Sequence, residues 1–339
     1  MASRRDLLKT LSLLGIAPTA RAQIGKPPLQ AKRIGVLDWN ADSSSPQYWA
    51  KFWQELGNRG WTLGKNLQVE SVNANGDLVV LDRLAAQLVR NRVDVIMTDG
   101  GITSVAAARA TKTIPILFSD VYFPIEQELV ESYAHPGGNI TGIAFYSEIE
   151  VSTKRLQFLR EIAPRAKRLA WVSIQENVFQ AVKVSGGVVD MIPRRRVAAK
   201  IAGFDAEFHY VKTVQELDGL FETIAAQRAD AISCGGWSFE PIERVPDLAL
   251  RQRLPSAFAN FPEVKAGGLL SFTVAESEYK VLFSRTMDYL DRILRGERPA
   301  NLPIEQAKRY EFAVNLKTAK ILGLKVPPAI LLRADVVIE

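Results

Sequence analysis

Val93-Asp94-Val95-Ile96-Met97-Thr98 runs into Asp99-Gly100-Gly101-Ile102-Thr103 and then into Ser104-Val105-Ala106-Ala107-Ala108-Arg109-Ala110-Thr111. An apolar, β-branched run, a pair of glycines and an alanine-rich stretch read as a buried strand over 93–98, a tight turn and a helix over 104–111. A strand that passes directly into a helix is the unit of a parallel sheet, because parallel strands need a crossover and the crossover covers the sheet. The same alternation extends to both sides. Strands are predicted over 33–37, 66–72 and 114–118, and helices over 47–56 and 78–90. In the first of these helices Tyr48, Phe52 and Leu56 share one face, with Trp49 and Trp53 beside them. Strands alternating with helices give an α/β fold whose sheet is covered on both faces.

The pattern restarts after a Pro/Gly-rich joint at His135-Pro136-Gly137-Gly138. Strands are predicted over 169–173, 206–210 and 231–234, with helices near 152–162, 214–227 and 241–251. A third section offers a strand over 267–272, a long amphipathic helix over 276–294, a strand over 310–315 and a helix over 316–322 ended by Gly323. So few elements cannot close a core, so they are expected to fold back on the two preceding units. More than one chain crossing between units follows, which favours a hinge over a single tether.

The 339 residues, 47% hydrophobic and 24% charged, are ordinary globular material, with room for two domains of about 150 residues each. Residues 1–22 read as a cleavable leader: Arg4-Arg5 ahead of the apolar stretch from Leu11 to Ala17, then Ala20-Arg21-Ala22 before Gln23. The paired arginines suggest the twin-arginine route. This leader carries Arg4, Arg5, Lys9 and Arg21 against Asp6, so only about +3 of the formal +6 remains after cleavage. That is too little to argue for a nucleic-acid partner. Arg194-Arg195-Arg196 reads as a solvated face rather than a phosphate site. No later run reaches the roughly 18 apolar residues of a membrane span. The single Cys234 excludes an internal disulfide and a cysteine-type zinc site, and no cysteine follows the leader's apolar stretch to carry a lipid. The expectation is a soluble, monomeric periplasmic protein.

In open parallel sheets ligands bind beyond the carboxyl ends of the strands. The loop Thr98-Asp99-Gly100-Gly101-Ile102-Thr103-Ser104 is the most informative of these: glycines let a ligand approach the backbone, and Thr103 or Ser104 is placed to cap a helix whose free N–H groups face an anion. The other candidate ligand contacts are Asp38-Trp39-Asn40 after the first strand, then Asp120, Tyr122 and Phe123, then Ser173, Gln175, Glu176 and Asn177. Gly236, Trp237 and Ser238 complete the set with Asn260 and Phe261. Aromatic side chains at strand ends can sandwich a ligand, and Trp237 is the best single candidate among them. No G-x-G-x-x-G follows the first strand and no G-x-x-x-x-G-K-[ST] occurs, which argues against nicotinamide or triphosphate chemistry. With His135 and His209 the only histidines, no H-E-x-x-H and no G-x-S-x-G, neither a metal, a cofactor nor a catalytic triad is expected.

Several stretches resemble the ABC-transporter substrate-binding family whose characterised relatives bind tryptophan or tyrosine. They are Arg33-Ile34-Gly35-Val36-Leu37, Ala110-Thr111-Lys112-Thr113-Ile114-Pro115-Ile116, His135-Pro136-Gly137-Gly138-Asn139-Ile140-Thr141-Gly142, Ala266-Gly267-Gly268-Leu269-Leu270-Ser271 and Asn315-Leu316-Lys317-Thr318-Ala319-Lys320-Ile321-Leu322-Gly323-Leu324. The resemblance implies a type I periplasmic-binding-protein fold, two Rossmann-like lobes joined by a three-crossing hinge. Crossings near Ala144, Phe272 and Gln306 divide the chain into a first lobe of 31–144 plus 273–306 and a second of 145–272 plus 307–335. It further implies the solute-binding component of an importer, partnered by an inner-membrane ABC permease and not an enzyme. The alternative is a periplasmic sensor that signals to a membrane receptor. Ligand carboxylates in such proteins are commonly held at a helix N-terminus, which corresponds to Gly101, Thr103 and Ser104 here. Two departures bear on the ligand. Phe123-Pro124 stands where relatives carry Asp-Pro, and Trp237-Ser238 where amino-acid-binding relatives carry Asp-Asn. A buried ammonium needs an acidic partner, so the expected ligand has a carboxylate and an aromatic or apolar body. An ammonium is not expected unless Asp120 or Glu176 substitutes for the missing acids.

Overall fold

The computed structural model describes residues 30–39, 46–144, 148–174, 180–235 and 241–339. In the first part of the chain β1 (Lys32–Asp38), α1 (Pro46–Asn58), β2 (Leu67–Asn73), α2 (Leu78–Arg90), β3 (Val95–Asp99), α3 (Gly101–Ala110), β4 (Ile116–Ser119) and β5 (Ile140–Ile143) follow one another. The five strands form one parallel sheet in the order β2-β1-β3-β4-β5.

Sequence explains the local geometry. Asp77 accepts hydrogen bonds from the Val79 and Val80 amides and so starts α2, an N-cap of the usual kind. Leu81, Ala85 and Leu88, spaced at helical period, are buried against the sheet. Leu88 reaches β1 because Gly35 has no side chain: a Cβ there would lie 3.0 Å from Leu88 Cδ2.

The second part contains α4 (Glu148–Ile162), β6 (Arg168–Ile174), β7 (Gln180–Val182), β8 (Val188–Asp190), α5 (Ile192–Ile201), β9 (Asp205–Val211), α6 (Leu217–Ala226), β10 (Ala231–Gly235), α7 (Arg244–Arg251), β11 (Ser256–Phe258), α8 (Phe261–Lys265) and β12 (Leu270–Val274). Then come α9 (Glu276–Leu294), β13 (Tyr310–Asn315), α10 (Leu316–Ile321), α11 (Pro328–Leu331) and β14 (Val336–Ile338). Seven strands form a second sheet, β14-β13-β12-β11-β10-β6-β9, in which only the β12–β13 pairing is antiparallel. Separate apolar clusters cover its two faces, one around Leu159, Trp171 and Phe312 and the other around Val172, Phe221 and Phe258.

The C-terminal section returns to both sheets, as expected. Helix α9 is tied to the first part: Trp61 Nε1 donates to Asp291 Oδ1 at 2.7 Å and Arg59 Nη2 to Asp288 Oδ1 at 2.7 Å. β13 and β14 extend the second sheet. Among the described residues, segments that lead from one sheet toward the other lie beside one another. Ala144 donates its amide to the Glu305 carbonyl at 2.9 Å, and Ala275 donates to Arg309 at 3.0 Å.

Several expectations need correction. The strand and helix pattern does not restart directly after the Pro/Gly joint at 135–138, because β5 follows it and still pairs with β4 in the first sheet. The run 140–143 was not recognised as a strand because it is four residues long and contains Gly142. The antiparallel β7–β8 hairpin was missed altogether. It reaches from the second part onto the first. Arg109 donates to the Val184 carbonyl at 3.1 Å and the Lys183 carbonyl at 2.5 Å, and the Val184 amide donates to Gln127 O at 3.0 Å. Arg194-Arg195-Arg196 is a solvated face only in part, Arg194 and Arg196 being exposed and Arg195 not. It lies on α5, where Arg195 is buried, Arg194 pairs with Glu126, and Arg196 donates to the Ala206 carbonyl with its guanidinium over Phe208.

Cys234, near the end of β10, is buried. Burial, then the negative charge of Glu263, pushes its thiol well above the ordinary range. Because the thiolate is the reactive species, Cys234 is expected to resist dithionitrobenzoate in the native protein and to react in full after denaturation. Labelling of the native protein within minutes would contradict this packing.

Candidate functional site

Both sheets reverse their strand order once, between β1 and β3 in the first and between β6 and β10 in the second. At such a reversal the adjoining helices lie on opposite faces, which opens a crevice at the carboxyl ends of the strands. Some of the residues singled out from the sequence fall at these positions. Asp38 ends β1 and Trp39 follows it; Thr98 and Asp99 end β3; Ser173 lies near the end of β6. Asn40, Gln175, Glu176, Asn177, Gly236, Trp237 and Ser238 lie outside the described residues.

Helix α3 starts at Gly101, three residues before the expected Ser104. Gly100 is its N-cap at φ 81°, a backbone geometry that glycine adopts without penalty, and it brings no side-chain cap. Thr103 and Ser104 therefore sit inside the first turn instead of capping it. Both are fully buried. Thr103 Oγ1 donates to the Asp99 carbonyl at 2.6 Å, and Ser104 Oγ donates to the Gly100 carbonyl at 2.7 Å. With the Ser104 proton so used, the 2.8 Å contact between Thr98 Oγ1 and Ser104 Oγ has Thr98 as donor. These three hydroxyls brace the turn. The groups left to meet a ligand are the first-turn N–H groups, which have no intrahelical acceptor and carry the positive end of the helix dipole. At Gly101 a Cβ would lie 2.3 Å from Nε2 of the buried Gln127, so a larger residue there would have to push the end of that side chain aside.

Next to this turn lie three carboxyl groups. Asp99 is solvent-exposed, and its Oδ1 accepts from Ser119 Oγ at 3.0 Å. The surrounding walls desolvate it, and together with the charge of Asp38 they raise its pKa. Asp120 follows β4 with a left-handed backbone, φ 53°. Desolvation first, then the charge of Asp99, holds its carboxyl well above the usual range, against a hydrogen bond from Tyr122 that acts the other way. Phe123 packs beside Tyr122, ring centroids 6.4 Å apart. Tyr279, in the first turns of α9, was not a candidate from the sequence. Its hydroxyl is pushed up to about 12 by desolvation and then by the charge of Asp120, so the second crossing brings this phenol to the same place. An amphipathic surface pattern hid it. In the second sheet, Asn260 is the N-cap residue of α8 and Phe261 its first residue, with Lys265 Nζ 4.6 Å from the Phe261 ring centre. Among the described residues no group of three His, Cys, Asp or Glu is arranged to hold a metal ion.

Residues 50–338 match the family described as ABC transporter substrate binding protein. A tyrosine-binding protein of Clostridioides difficile (strain R20291) is 23% identical over 294 residues, 87% of this chain and 81% of its own length. A conserved domain protein of Vibrio cholerae superposes with TM-score 0.69 at 24% identity, covering 91% of this chain and 100% of the other. An ABC domain from Streptococcus pneumonia in complex with L-Trp gives TM-score 0.68 at 21% identity over the same shares. The architecture is the type I periplasmic-binding-protein fold.

Proposed function

The chain belongs to the ABC transporter substrate-binding protein family, one of binding proteins and not of enzymes, and on that premise we propose that it is the exported solute-binding component of an ABC importer. Residues 1–22 act as the leader, and the mature protein works in the periplasm as a monomer that delivers its cargo to an inner-membrane permease. Among the described residues no helix is long and apolar enough to cross a membrane. Residues 31–144 with 273–306 form one lobe, and 145–272 with 307–335 the other. Ligand contacts to both lobes stabilise the shut form, which the permease recognises.

The ligand carries a carboxylate that binds the first-turn N–H groups of α3. The observation that carries this reading is the glycine-capped start of α3 at the strand-order reversal of the first sheet. An anion there meets oriented N–H donors that no capping side chain of Gly100 occupies. Trp39, Tyr122 and Phe123 supply apolar walls, and the tyrosine and L-Trp of the two relatives are of the size and kind such walls accept. Calorimetric titration tests it with the proteinogenic amino acids, their deaminated acids and the carboxamides of both. At least one carboxylate is expected to bind, and its carboxamide to bind at least tenfold more weakly. Equal binding of acid and carboxamide would remove the α3 assignment.

A further inference from the structure

The connection from β6, which ends at Ile174, to α5, which starts at Ile192, is far longer than the about 2–6 residues that such a connection commonly takes. It carries the β7–β8 hairpin, which docks on the first part of the chain at two places. In the last turn of α3, Arg109 donates to the Lys183 and Val184 carbonyls. At the 124–128 turn, the Val184 amide donates to the Gln127 carbonyl at 3.0 Å and the Ser185 amide to Glu128 Oε2 at 3.0 Å, while Lys183 Nζ lies 3.3 Å from Glu128 Oε1. Val182 and Val184 add apolar contact with the core of the first sheet. Arg194, on α5, holds the same turn through Glu126. Glu128, in the middle of these contacts, has φ 61°, a left-handed backbone that a non-glycine residue keeps mainly where its surroundings enforce it.

We propose that the β7–β8 hairpin is a latch between the two lobes: it reaches out from the second, holds α3 and the 124–128 turn of the first, and biases the protein towards the shut form. This rests on the lobe division proposed above. The lobes cannot part while every one of these contacts is kept, because α5, which carries Arg194, packs into the core of the second sheet through Ala199 and cannot follow the first lobe. Arg109, Glu128, Ser185 and Arg194 are exposed, so each polar contact is weak and screened by salt. Several weak contacts side by side suit a latch that must reopen. The latch also reaches the proposed ligand site. Gln127 is buried, and its side chain fills the space where Gly101, the first residue of α3, has no Cβ. The hairpin, by holding the Gln127 carbonyl, fixes the group that abuts the first turn of α3, which makes Gln127 a positioning residue for that turn.

The test is residue-resolved amide hydrogen exchange together with small-angle X-ray scattering, on the full mature protein without ligand, for the wild type, Arg109→Gln and the double variant Glu126→Gln/Glu128→Gln. Arg109 and Glu128 are exposed and Glu126 is half-buried, so both variants are expected to fold with the thermal midpoint of the wild type. In the wild type the Val184 and Ser185 amides are expected to exchange roughly 100-fold more slowly than in an unstructured chain, and each variant to lose roughly tenfold of that protection. The radius of gyration should rise with that loss as the lobes part. About 0.5 M NaCl should produce both changes in the wild type without any variant. The Gly101 amide resonance is expected to shift in step, which a hairpin that only covers the surface would not cause. Unprotected Val184 and Ser185 amides in the wild type, or protection lost at constant radius of gyration, overturns the latch. Neither outcome touches the binding reading, which the titrations above test, or the assignment of 273–306 to the first lobe, which the stability of Trp61→Ala tests.

Discussion

Trp61→Ala is expected to lower the unfolding free energy by about 3–5 kcal/mol, the range for deleting a fully buried aromatic side chain. Trp61 is 2% exposed and holds Asp291, 230 positions further along, through its indole N–H. The Arg295 guanidinium lies over its ring at 5.8 Å. Alanine would leave a cavity between α1 and α9 and deprive Asp291 of one donor, although Arg295 Nε, at 2.8 Å, still serves that carboxylate. Trp61→Phe keeps most of the volume and should lose about 1–2 kcal/mol. Urea denaturation measures both, read as a change in midpoint at constant slope. A loss below about 1 kcal/mol for Trp61→Ala would mean that α9 is not docked on the first part of the chain, and the proposed assignment of 273–306 to the first lobe would fall with it.

Gly142→Ala is expected to cost about 3 kcal/mol, the upper end for overpacking. Gly142 pairs with Phe118 across β4 and β5. A Cβ at this position would stand 2.2 Å from the Phe118 carbonyl oxygen and 2.5 Å from its ring. A side chain could swing aside; a carbonyl in a sheet cannot, so β5 must shift. Because Ile143 and Ala144 lead from β5 into the segment that meets Glu305, the same change should weaken ligand affinity through the crossing. Gly138→Ala is the control. Nothing lies within 4 Å of its Cβ position, and its effect should stay within about 0.5 kcal/mol. Equal midpoints for the two variants would refute the close β4–β5 approach.

Long periodic segments were legible in the sequence. Helices α2 and α9 and strand β13 occupy the spans their patterns gave, because each pairs a clear apolar period with a defined end: Asp77 before α2, Ala275 and the acidic first turn before α9. The alternation of strand and helix also gave the mainly parallel sheets, whereas their strand order, and with it the two reversals, is visible only in the fold. What failed was short or mutually supported structure. β5 is held by backbone approach at Gly142, and the β7–β8 hairpin by carbonyls reaching Arg109; neither leaves a periodic trace, although Gly186-Gly187 between valines marks the hairpin turn. At the site, Thr103 and Ser104 had the right chemistry for capping but lie one turn too deep, because Gly100 can take the N-cap geometry itself. The charge of Asp120 is felt by Tyr279, 159 positions further along the chain, and only the fold brings the two near each other. The partnerless Oδ1 of Asp120 is likewise a property of packing, not of composition.

The central claim is that a carboxylate is captured at the start of α3. Amide nitrogen–proton correlation spectra of the mature protein, recorded with and without the amino acid that binds most tightly, test it directly. The amide protons of Gly101, Ile102 and Thr103 are expected to move downfield together on saturation, as N–H groups do when they acquire a charged acceptor. Saturating binding that leaves all three unmoved, with shifts confined to other loops, would contradict it.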